Sequence, residues 1–204
     1  MMNSINKTLY IPLYSKALVS KKGIILSDKK AEEIINKEKV FLKGKAKSKW
    51  LAYFMAMRAK VFDEWVIKKV KTNSNAIILH FGCGLDSRVE RLKLENNLFI
   101  DIDFPAVIEE KKRYFLESEN YKMIAVDVRE DKLFSLLPDG DSAIAIFEGI
   151  SMYLTNEELK NILINLSKKY KKLSVLLDCY TTFGAKMSKI KNPVKSVGVK
   201  EVYG

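Results

Sequence analysis

The segment that most constrains the fold is an apolar run that leads into two closely spaced glycines and then into a helical pattern. The apolar run covers residues 75–81, and Gly82 and Gly84 follow it. Glycine lets the backbone turn tightly and approach a ligand closely. A strand, a glycine turn and a helix in this order are typical of a nucleotide-type cofactor site in an α/β fold.

Apolar runs and helical patterns alternate from this strand onward. The predicted strands are nearly continuous apolar runs, as expected for a parallel sheet buried on both faces. They cover residues 75–81, 98–102, 122–126, 142–147 and 173–178. The predicted helices cover residues 86–94, 105–117, 130–137 and 156–170, and Thr155 with Glu158 forms a capping-box pattern before the last one. We therefore predict a doubly wound α/β domain over residues 73–204.

Residues 1–72 show only helical patterns, and a polar break at residues 72–74 separates them from the α/β domain. Helices are predicted at residues 29–37 and 47–71. The longer one has a broad apolar face formed by Trp50, Tyr53, Phe54, Met57, Val61, Phe62, Trp65 and Val66. Arg58 lies within this face, where a charge is costly unless it is paired. It either forms a salt bridge with a nearby carboxylate or awaits an anionic ligand.

The glycine turn lacks the features of a phosphate site. A dinucleotide fingerprint requires G-x-G-x-x-G, but Ser87 occupies the third glycine position. Asp86 at the start of the helix would repel a pyrophosphate. No G-K-[ST] sequence of a P-loop follows. The turn therefore indicates a cofactor with no phosphate here, and S-adenosylmethionine, an adenosine joined to a zwitterionic methionine, meets this condition.

Acidic residues stand at the ends of the next three predicted strands. Asp101 and Asp103 end the second strand, where a carboxylate can accept both ribose hydroxyls, although NAD enzymes share this feature. Asp127 follows the third strand and can accept from an adenine amino group, while the Val128 N–H can reach a ring nitrogen. Glu148 follows the fourth strand. Each carboxylate could instead cap the next helix, but acidic residues at successive strand ends favour a shared site.

Composition limits the class of protein. No stretch of about 18 or more apolar residues occurs, so no transmembrane helix is predicted, and the N-terminal residues lack the pattern of a secretory signal. With only two cysteines, Cys83 and Cys179, we expect a reducing, cytoplasmic location. His80 is the only histidine, so no zinc site is expected. We expect His80 to be buried and structural.

The net charge of +11 raises the alternative of a basic surface for nucleic acid or acidic lipid. Only five of the 36 basic residues are arginine, and the lysines are scattered, whereas nucleic-acid readers usually rely on arginine. No Asn/Asp-Pro-Pro-Tyr sequence, the signature of amino methylation, follows the fourth strand. We therefore interpret the basic residues as a solvated lysine-rich surface, and we disfavour the alternative that the protein is an RNA methyltransferase.

Several segments resemble the leucine carboxyl methyltransferase family. In chain order they are TLYIPLYSKAL, RAKVFDEWV, HFGCGLDSR, FIDIDFPAVIEEKKRYF, AVDVRED, FEGISMYLTNEEL and AKMSKIKNPVKSVG. The resemblance implies a Rossmann-like class I methyltransferase fold with a helical lid at residues 1–72. It also implies an S-adenosylmethionine-dependent O-methyltransferase. The acceptor would be a carboxylate or hydroxyl of a small molecule, as in polyketide-type members, or of a protein C-terminus.

The resemblance implies roles for residues at the methionine end of the cofactor. Arg58 would hold the methionine carboxylate, which gives the arginine of the apolar face its anion. Lys16 would be a second ligand of this carboxylate. Gly82 and Gly84 would pass close to the methionine moiety, and Glu148 would lie beside it.

At the adenosine end, the resemblance implies that Asp103 binds the ribose and that Asp127 and Val128 hold the adenine. Tyr153 is our candidate for a catalytic residue that faces the acceptor, although packing of the Met-Tyr-Leu stretch explains it as well. A carboxylate acceptor is already ionised at neutral pH, whereas a hydroxyl usually needs a base. Because no base is obvious, the sequence favours a carboxylate acceptor.

Family members usually continue to strands that complete a seven-stranded sheet and help to form the acceptor pocket. This chain ends after five predicted strands, so the C-terminal strands are expected to be missing. The last strand would then lie at an apolar sheet edge unless residues 189–203 cover it. We expect weak cofactor binding or dependence on a partner. The early end and the basic residues 186–200 also raise the alternative of a non-catalytic or partner-dependent methyltransferase-like module.

Overall fold

The computed structural model describes residues 4–39 and 48–181, with side chains from residue 9 onward. The expectations for residues 186–200 and 189–203 lie outside the described residues. The described residues that precede the sheet form three helices: α1 (Ser4–Lys21), α2 (Lys29–Glu38) and α3 (Lys49–Thr72). Within the described ranges, no helix combines the length and the apolar character that a membrane span requires.

In the described part of the chain, five parallel strands form the sheet that the sequence predicts. They are β1 (Ile77–Phe81), β2 (Phe99–Asp103), β3 (Tyr121–Ala125), β4 (Ser142–Phe147) and β5 (Lys172–Leu177). Their order is β3-β2-β1-β4-β5, and every neighbouring pair is parallel. The order reverses between β1 and β4, which is the doubly wound arrangement. The predicted fold class is confirmed.

The central strands are the most apolar because side chains cover both of their faces. Every residue of β1, β2 and β4 is buried, whereas β3 and β5 are only partly buried. The connecting helices are α4 (Arg88–Leu92), α5 (Pro105–Lys111), α6 (Lys132–Leu136) and α7 (Asn156–Lys169). Apolar residues of α6 and α7, among them Leu133, Ile162 and Leu166, join the core of the sheet.

Several predicted helix boundaries are wrong. Helix α4 ends at Leu92 instead of residue 94 because Lys93 adopts a left-handed conformation and its N–H closes on the Val89 carbonyl at 3.2 Å. Helix α5 ends at Lys111, and the six residues after it that were predicted to be helical form turns and irregular chain. The predicted capping box at Thr155 and Glu158 is confirmed at the start of α7.

The buried face of α3 shares only Phe62 and Val66 with the predicted apolar face. The buried side chains are Ala52, Ala56, Ala59, Phe62, Asp63 and Val66. Of the predicted apolar face, Trp50, Phe54, Met57 and Val61 are each more than half exposed. Small side chains let a helix backbone approach its neighbours closely, and the structure buries the alanine-rich face. Arg58 is half-buried at the flank of this face.

The described chain forms two compact units. One combines Gly84–Lys93 with the described residues of Met1–Ile67, and the other combines Lys68–Cys83 with the described residues that follow Lys93. The division predicted from the sequence falls after residue 72 and keeps the glycine turn in one part. In the structure, Gly84 and α4 belong to the unit that contains α1 and α2.

Candidate functional site

The carboxyl ends of the strands meet at one end of the sheet. Phe81 of β1 lies beside Ile102 of β2 and Phe147 of β4, so these three strands end at the same level. A ligand of a doubly wound sheet binds at this end, near the point where the strand order reverses. The predicted site residues that the sheet brings to this carboxyl end are Gly82, Asp103, Asp127, Val128 and Glu148.

Gly82 makes the first turn out of β1. Its φ is +63°, which favours glycine, and its N–H donates to the Ile102 carbonyl at 2.8 Å. A Cβ at this position would lie 2.6 Å from Cδ1 and 2.9 Å from Cβ of Ile150. A side chain here would therefore force Ile150 to move, in addition to the strain of a positive φ.

Asp103 is buried at the last position of β2. Its Oδ1 accepts from the Phe104 N–H at 2.8 Å, and its carbonyl accepts from the Val126 N–H at 2.9 Å. Helix α5 begins after Phe104 without a side-chain cap. The two contacts of Asp103 fix this residue at the carboxyl end of the sheet.

Asp101 differs from Asp103 because it lies inside a buried polar network. Its Oδ1 lies 2.9 Å from His80 Nδ1, and its Oδ2 lies 2.8 Å from Lys111 Nζ and accepts from the Tyr121 hydroxyl at 2.6 Å. Burial raises the pKa of Asp101, but the Lys111 ammonium and the His80 hydrogen bond outweigh it and lower the pKa to about 2. We call these four side chains the Asp101 network.

The Asp101 network corrects one prediction and confirms another. Asp101 was grouped with the strand-end acids, but its oxygens are taken up by protein partners below the carboxyl end of the sheet. The buried structural role predicted for His80 is confirmed. Lys111 was missed, although its helical spacing from Val107 and Ile108 puts it on the apolar face of α5. That spacing was the available signal for a buried ion pair.

Asp127 follows β3 and is held by Arg129. The Arg129 guanidinium donates from Nε to both carboxylate oxygens at 2.9 and 3.1 Å, and from Nη2 to Oδ2 at 2.5 Å. The hydrogen bond from Arg129 lowers the pKa of Asp127, so the carboxylate is ionised. Val128, between them, is buried. The sequence analysis did not identify this ion pair.

The loop after β4 carries Glu148 and leads to Tyr153. Glu148 is half-buried, and Tyr153 is partly exposed at the end of a short 3₁₀ helix. Asp178, which follows β5, accepts from the Gly149 N–H at 2.6 Å, and its carbonyl accepts from the Ser151 hydroxyl. Asp178 therefore fixes this loop. The sequence analysis did not select Asp178, although it ends a predicted strand as Asp127 and Glu148 do.

The remaining predicted site residues, Lys16, Arg58 and Gly84, belong to the other compact unit. Lys16 is buried, and its Nζ lies 3.3 Å from Asp86 Oδ2. Gly84 has a φ of +52°, and the nearest atom to a Cβ there would be 3.6 Å away in Leu9. Arg58 is half-buried on α3.

Lys16 belongs to a buried ion cluster with balanced charge. Its other members are Asp28, Asp63, Asp86, Arg88 and Arg91. Arg91 contacts all three carboxylates at 2.7–2.8 Å. Burial lowers the pKa of Arg91, but the three carboxylates outweigh it and raise the pKa well above its usual value. The prediction that Asp86 repels a phosphate therefore has to be corrected, because Arg91 and Lys16 neutralise the charge of Asp86.

Comparison with known proteins agrees with this arrangement. The sequence model of the leucine carboxyl methyltransferase family matches residues 4–167. The tetracenomycin polyketide synthesis O-methyltransferase TcmP of Streptomyces glaucescens is 25% identical over 206 residues, which cover 100% of this chain and 76% of the relative. The S-adenosyl-L-methionine-dependent methyltransferase dpfgK of Gibberella zeae is 29% identical over 133 residues, or 61% of this chain and 45% of the relative.

A solved structure gives the same result for the fold. The magnesium protoporphyrin IX methyltransferase ChlM of Synechocystis PCC 6803, with bound SAH, matches with a TM-score of 0.50 and 12% identity, over 79% of this chain and 74% of its own. The predicted Rossmann-like fold, the S-adenosylmethionine cofactor and the class of methyl-transferring enzyme are confirmed. This chain belongs to the leucine carboxyl methyltransferase family.

Proposed function

We propose that this protein transfers the methyl group of S-adenosylmethionine to a carboxylate of a small molecule. The name of the Streptomyces relative, a polyketide synthesis O-methyltransferase, supports a small-molecule acceptor. The observation that carries the choice of a carboxylate is the position of His80. The only histidine of the chain is buried against Asp101 and cannot reach an acceptor as a base. A carboxylate needs no base, because it is ionised at neutral pH.

At the adenosine end, we assign Asp103 to the ribose hydroxyls and Asp127 to the adenine amino group. Both carboxylates stand at the carboxyl end of the sheet, where doubly wound folds bind nucleosides. The Val128 N–H would donate to a ring nitrogen of the adenine. Asp127 is an ionised acceptor, and hydrogen bonds to an ionised acceptor are stronger than those between neutral groups.

At the methionine end, we assign Gly82 and Glu148 from the sheet unit, together with Gly84 after Cys83. The glycine backbone would pass beside the methionine moiety, and Glu148 would face its ammonium. Arg58 and Lys16 are the proposed ligands of the methionine carboxylate. Lys16 already contacts Asp86, so it would act through a shared contact.

The catalytic contribution of the chain would be alignment. When bound, S-adenosylmethionine supplies a methyl group activated by a sulfonium. The protein has to hold the acceptor oxygen in line with the carbon–sulfur bond and exclude water, which can contribute most of the rate enhancement of such a reaction. Tyr153, partly exposed after the Asp178-anchored loop, is the residue that we propose to face the acceptor. We also place the protein in a reducing compartment, the cytoplasm, which the low cysteine content supports.

The test is to incubate the protein with labelled cofactor and aromatic acceptors that carry either a carboxylate or a hydroxyl at the same position. We expect transfer to the carboxylates, with a rate that changes little between about pH 6 and 9, because no proton has to be removed. Mild alkali should release the label as methanol, since it hydrolyses esters but not ethers. Transfer only to hydroxyls, with an alkali-stable product, would contradict the proposal.

A further inference from the structure

We infer that Arg129 competes with the adenine of the cofactor for Asp127, and that this competition sets the affinity and base selectivity of the cofactor site. The inference rests on the proposed function, because it takes Asp127 as the carboxylate that binds the adenine amino group. None of the proposed assignments includes Arg129. Its contacts with Asp127 nevertheless occupy the atoms on which adenine recognition would depend.

Hydrogen bonds from Arg129 fill the acceptor positions of Asp127. Its Oδ1 accepts from the Arg129 backbone N–H at 3.0 Å and from Nε at 2.9 Å. Its Oδ2 accepts from Nε at 3.1 Å and from Nη2 at 2.5 Å. A carboxylate offers about four lone-pair positions on its two oxygens. An adenine amino group can therefore bind Asp127 only if a guanidinium contact is released.

The guanidinium of Arg129 can be released at a small cost. The Arg129 side chain is 47% exposed, whereas that of Asp127 is only 19% exposed. Ion pairs with a solvent-exposed member contribute little to stability. The backbone N–H of Arg129 can stay on Oδ1 and keep the carboxylate oriented, because it belongs to a tight turn closed by the Glu130 N–H on the Asp127 carbonyl at 3.0 Å.

A second carboxylate, that of Glu158 on α7, also attracts Arg129. Glu158 is held in place by the capping box, in which its side chain accepts from the Thr155 N–H at 2.7 Å. The guanidinium therefore stays under the attraction of this fixed anion when it leaves Asp127.

The consequence is a selectivity that depends on the group at the adenine amino position. An amino group displaces Arg129 and donates to Asp127. A carbonyl oxygen at that position would be repelled by Asp127 but could accept from Arg129. Removal of the guanidinium should therefore favour the amino-bearing base and disfavour the carbonyl-bearing base. A purely structural role for Arg129 would change both affinities in the same direction.

The experiment measures dissociation constants by calorimetry for S-adenosylhomocysteine and S-inosylhomocysteine, which carries the carbonyl. We compare the parent, Arg129→Ala and a matched control, Arg113→Ala. Arg113 is 51% exposed and pairs with Glu110 at 2.5 Å, in the same compact unit but away from Asp127. Arg129→Ala should bind S-adenosylhomocysteine about twofold to fivefold more tightly, the scale of an exposed ion pair, and S-inosylhomocysteine more weakly. The control should change neither.

Salt gives a second readout. The advantage of Arg129→Ala over the parent for S-adenosylhomocysteine should shrink between about 50 mM and 500 mM salt, because salt already weakens the competing pair. Equal or weaker binding of S-adenosylhomocysteine by Arg129→Ala would overturn the competition while leaving the proposed function intact. Unchanged binding of S-adenosylhomocysteine by Asp127→Asn would also overturn the competition while leaving the proposed function intact. If the folded parent binds no S-adenosylhomocysteine, the proposed function and the inference fail together.

Discussion

At the scale of single residues, Gly82 carries the strictest requirement in the described chain. Its positive φ excludes most side chains, and a Cβ at this position would clash with Ile150. We predict that Gly82→Ala lowers the free energy of unfolding by about 2–4 kcal/mol, the sum of a left-handed alanine and local overpacking. Gly84→Ala, where the nearest atom is 3.6 Å from the Cβ position, should cost only about 1 kcal/mol.

Urea unfolding of the two glycine variants and calorimetry with S-adenosylhomocysteine test this prediction. Gly82→Ala should also weaken binding, because the backbone that the proposed function assigns to the cofactor would have to shift. Equal losses of stability in both variants would show that positive φ alone, and not the approach of Ile150, sets the requirement.

The Asp101 network gives a second prediction at this scale, and it concerns acid. Because the pKa of Asp101 in the folded protein is about 2, below its usual value near 4, its stabilising contribution is complete above about pH 4. That contribution, about 2 kcal/mol, is lost as the pH falls from about 4 to 2. We predict that Lys111→Met costs about 3–5 kcal/mol at neutral pH, because it leaves a buried carboxylate without its cation.

The difference in unfolding free energy between the parent and Lys111→Met should narrow as the pH falls from about 4 to 2. Other carboxylates titrate equally in both proteins, so urea unfolding at several pH values isolates the effect of Lys111 on Asp101. A difference that stays constant with pH would mean that Lys111 contributes by packing instead of by charge.

Sequence reasoning could find the carboxylates of the site but not their partners. Asp103, Asp127 and Glu148 each follow an apolar run directly, and a strand end is a local signal. The sequence could not separate Asp101 from Asp103, because the partners of Asp101 come from β1, β3 and α5. In a strand buried on both faces, alternation does not show which side chain is enclosed.

At the scale of elements, α3 and α7 show why one helix could be predicted better than the other. The capping box of α7 depends on two residues three positions apart, so the sequence contains it completely. Which face of α3 is buried depends on the parts of the chain that pack against this helix. Two faces of α3 are apolar, one with large side chains and one rich in alanine, and the structure buries the alanine-rich one.

The two faces of α3 lead to the third prediction. Ala56→Leu should cost about 1–3 kcal/mol, because Ala56 is fully buried and a larger side chain overpacks its surroundings. Trp50→Ala should change stability by less than about 0.5 kcal/mol, since Trp50 is 82% exposed. Urea unfolding at constant pH measures both. A loss of about 3–5 kcal/mol in Trp50→Ala would instead indicate that the large apolar face is the buried one.

At the scale of the whole molecule, the strand order brings residues from distant parts of the sequence to the carboxyl end of the sheet. Parallel strands could be predicted, because they follow from apolar runs that alternate with helices. The same pattern makes the carboxyl end of the sheet the candidate ligand site. The order β3-β2-β1-β4-β5 could not be predicted, since it is set by pairings between strands far apart in the sequence. The sequence also could not predict that Gly84 and α4 belong to a different compact unit from β1.

The strand order leaves β5 at one edge among the described strands, with β4 as its only described neighbour. Leu173, Val175 and Leu177 pack against the core of the sheet, whereas Leu176 points to the opposite face and is half-buried. An apolar edge strand is a template for pairing with another chain. We predict that the protein self-associates as its concentration rises, and that Leu176→Lys reduces this association because a lysine on an edge strand opposes pairing.

Light scattering after size-exclusion chromatography, over a range of concentrations, tests the role of this edge. The control is Leu116→Lys, which also replaces an apolar residue with a cation, at a position that is 87% exposed and lies in irregular chain instead of an edge strand. We expect association in the parent and in Leu116→Lys, and a marked decrease in Leu176→Lys. An equal decrease in both variants would attribute the effect to net charge, and a monomeric parent at all concentrations would show that β5 is covered. Only the pattern in which Leu176→Lys alone loses association supports pairing through β5.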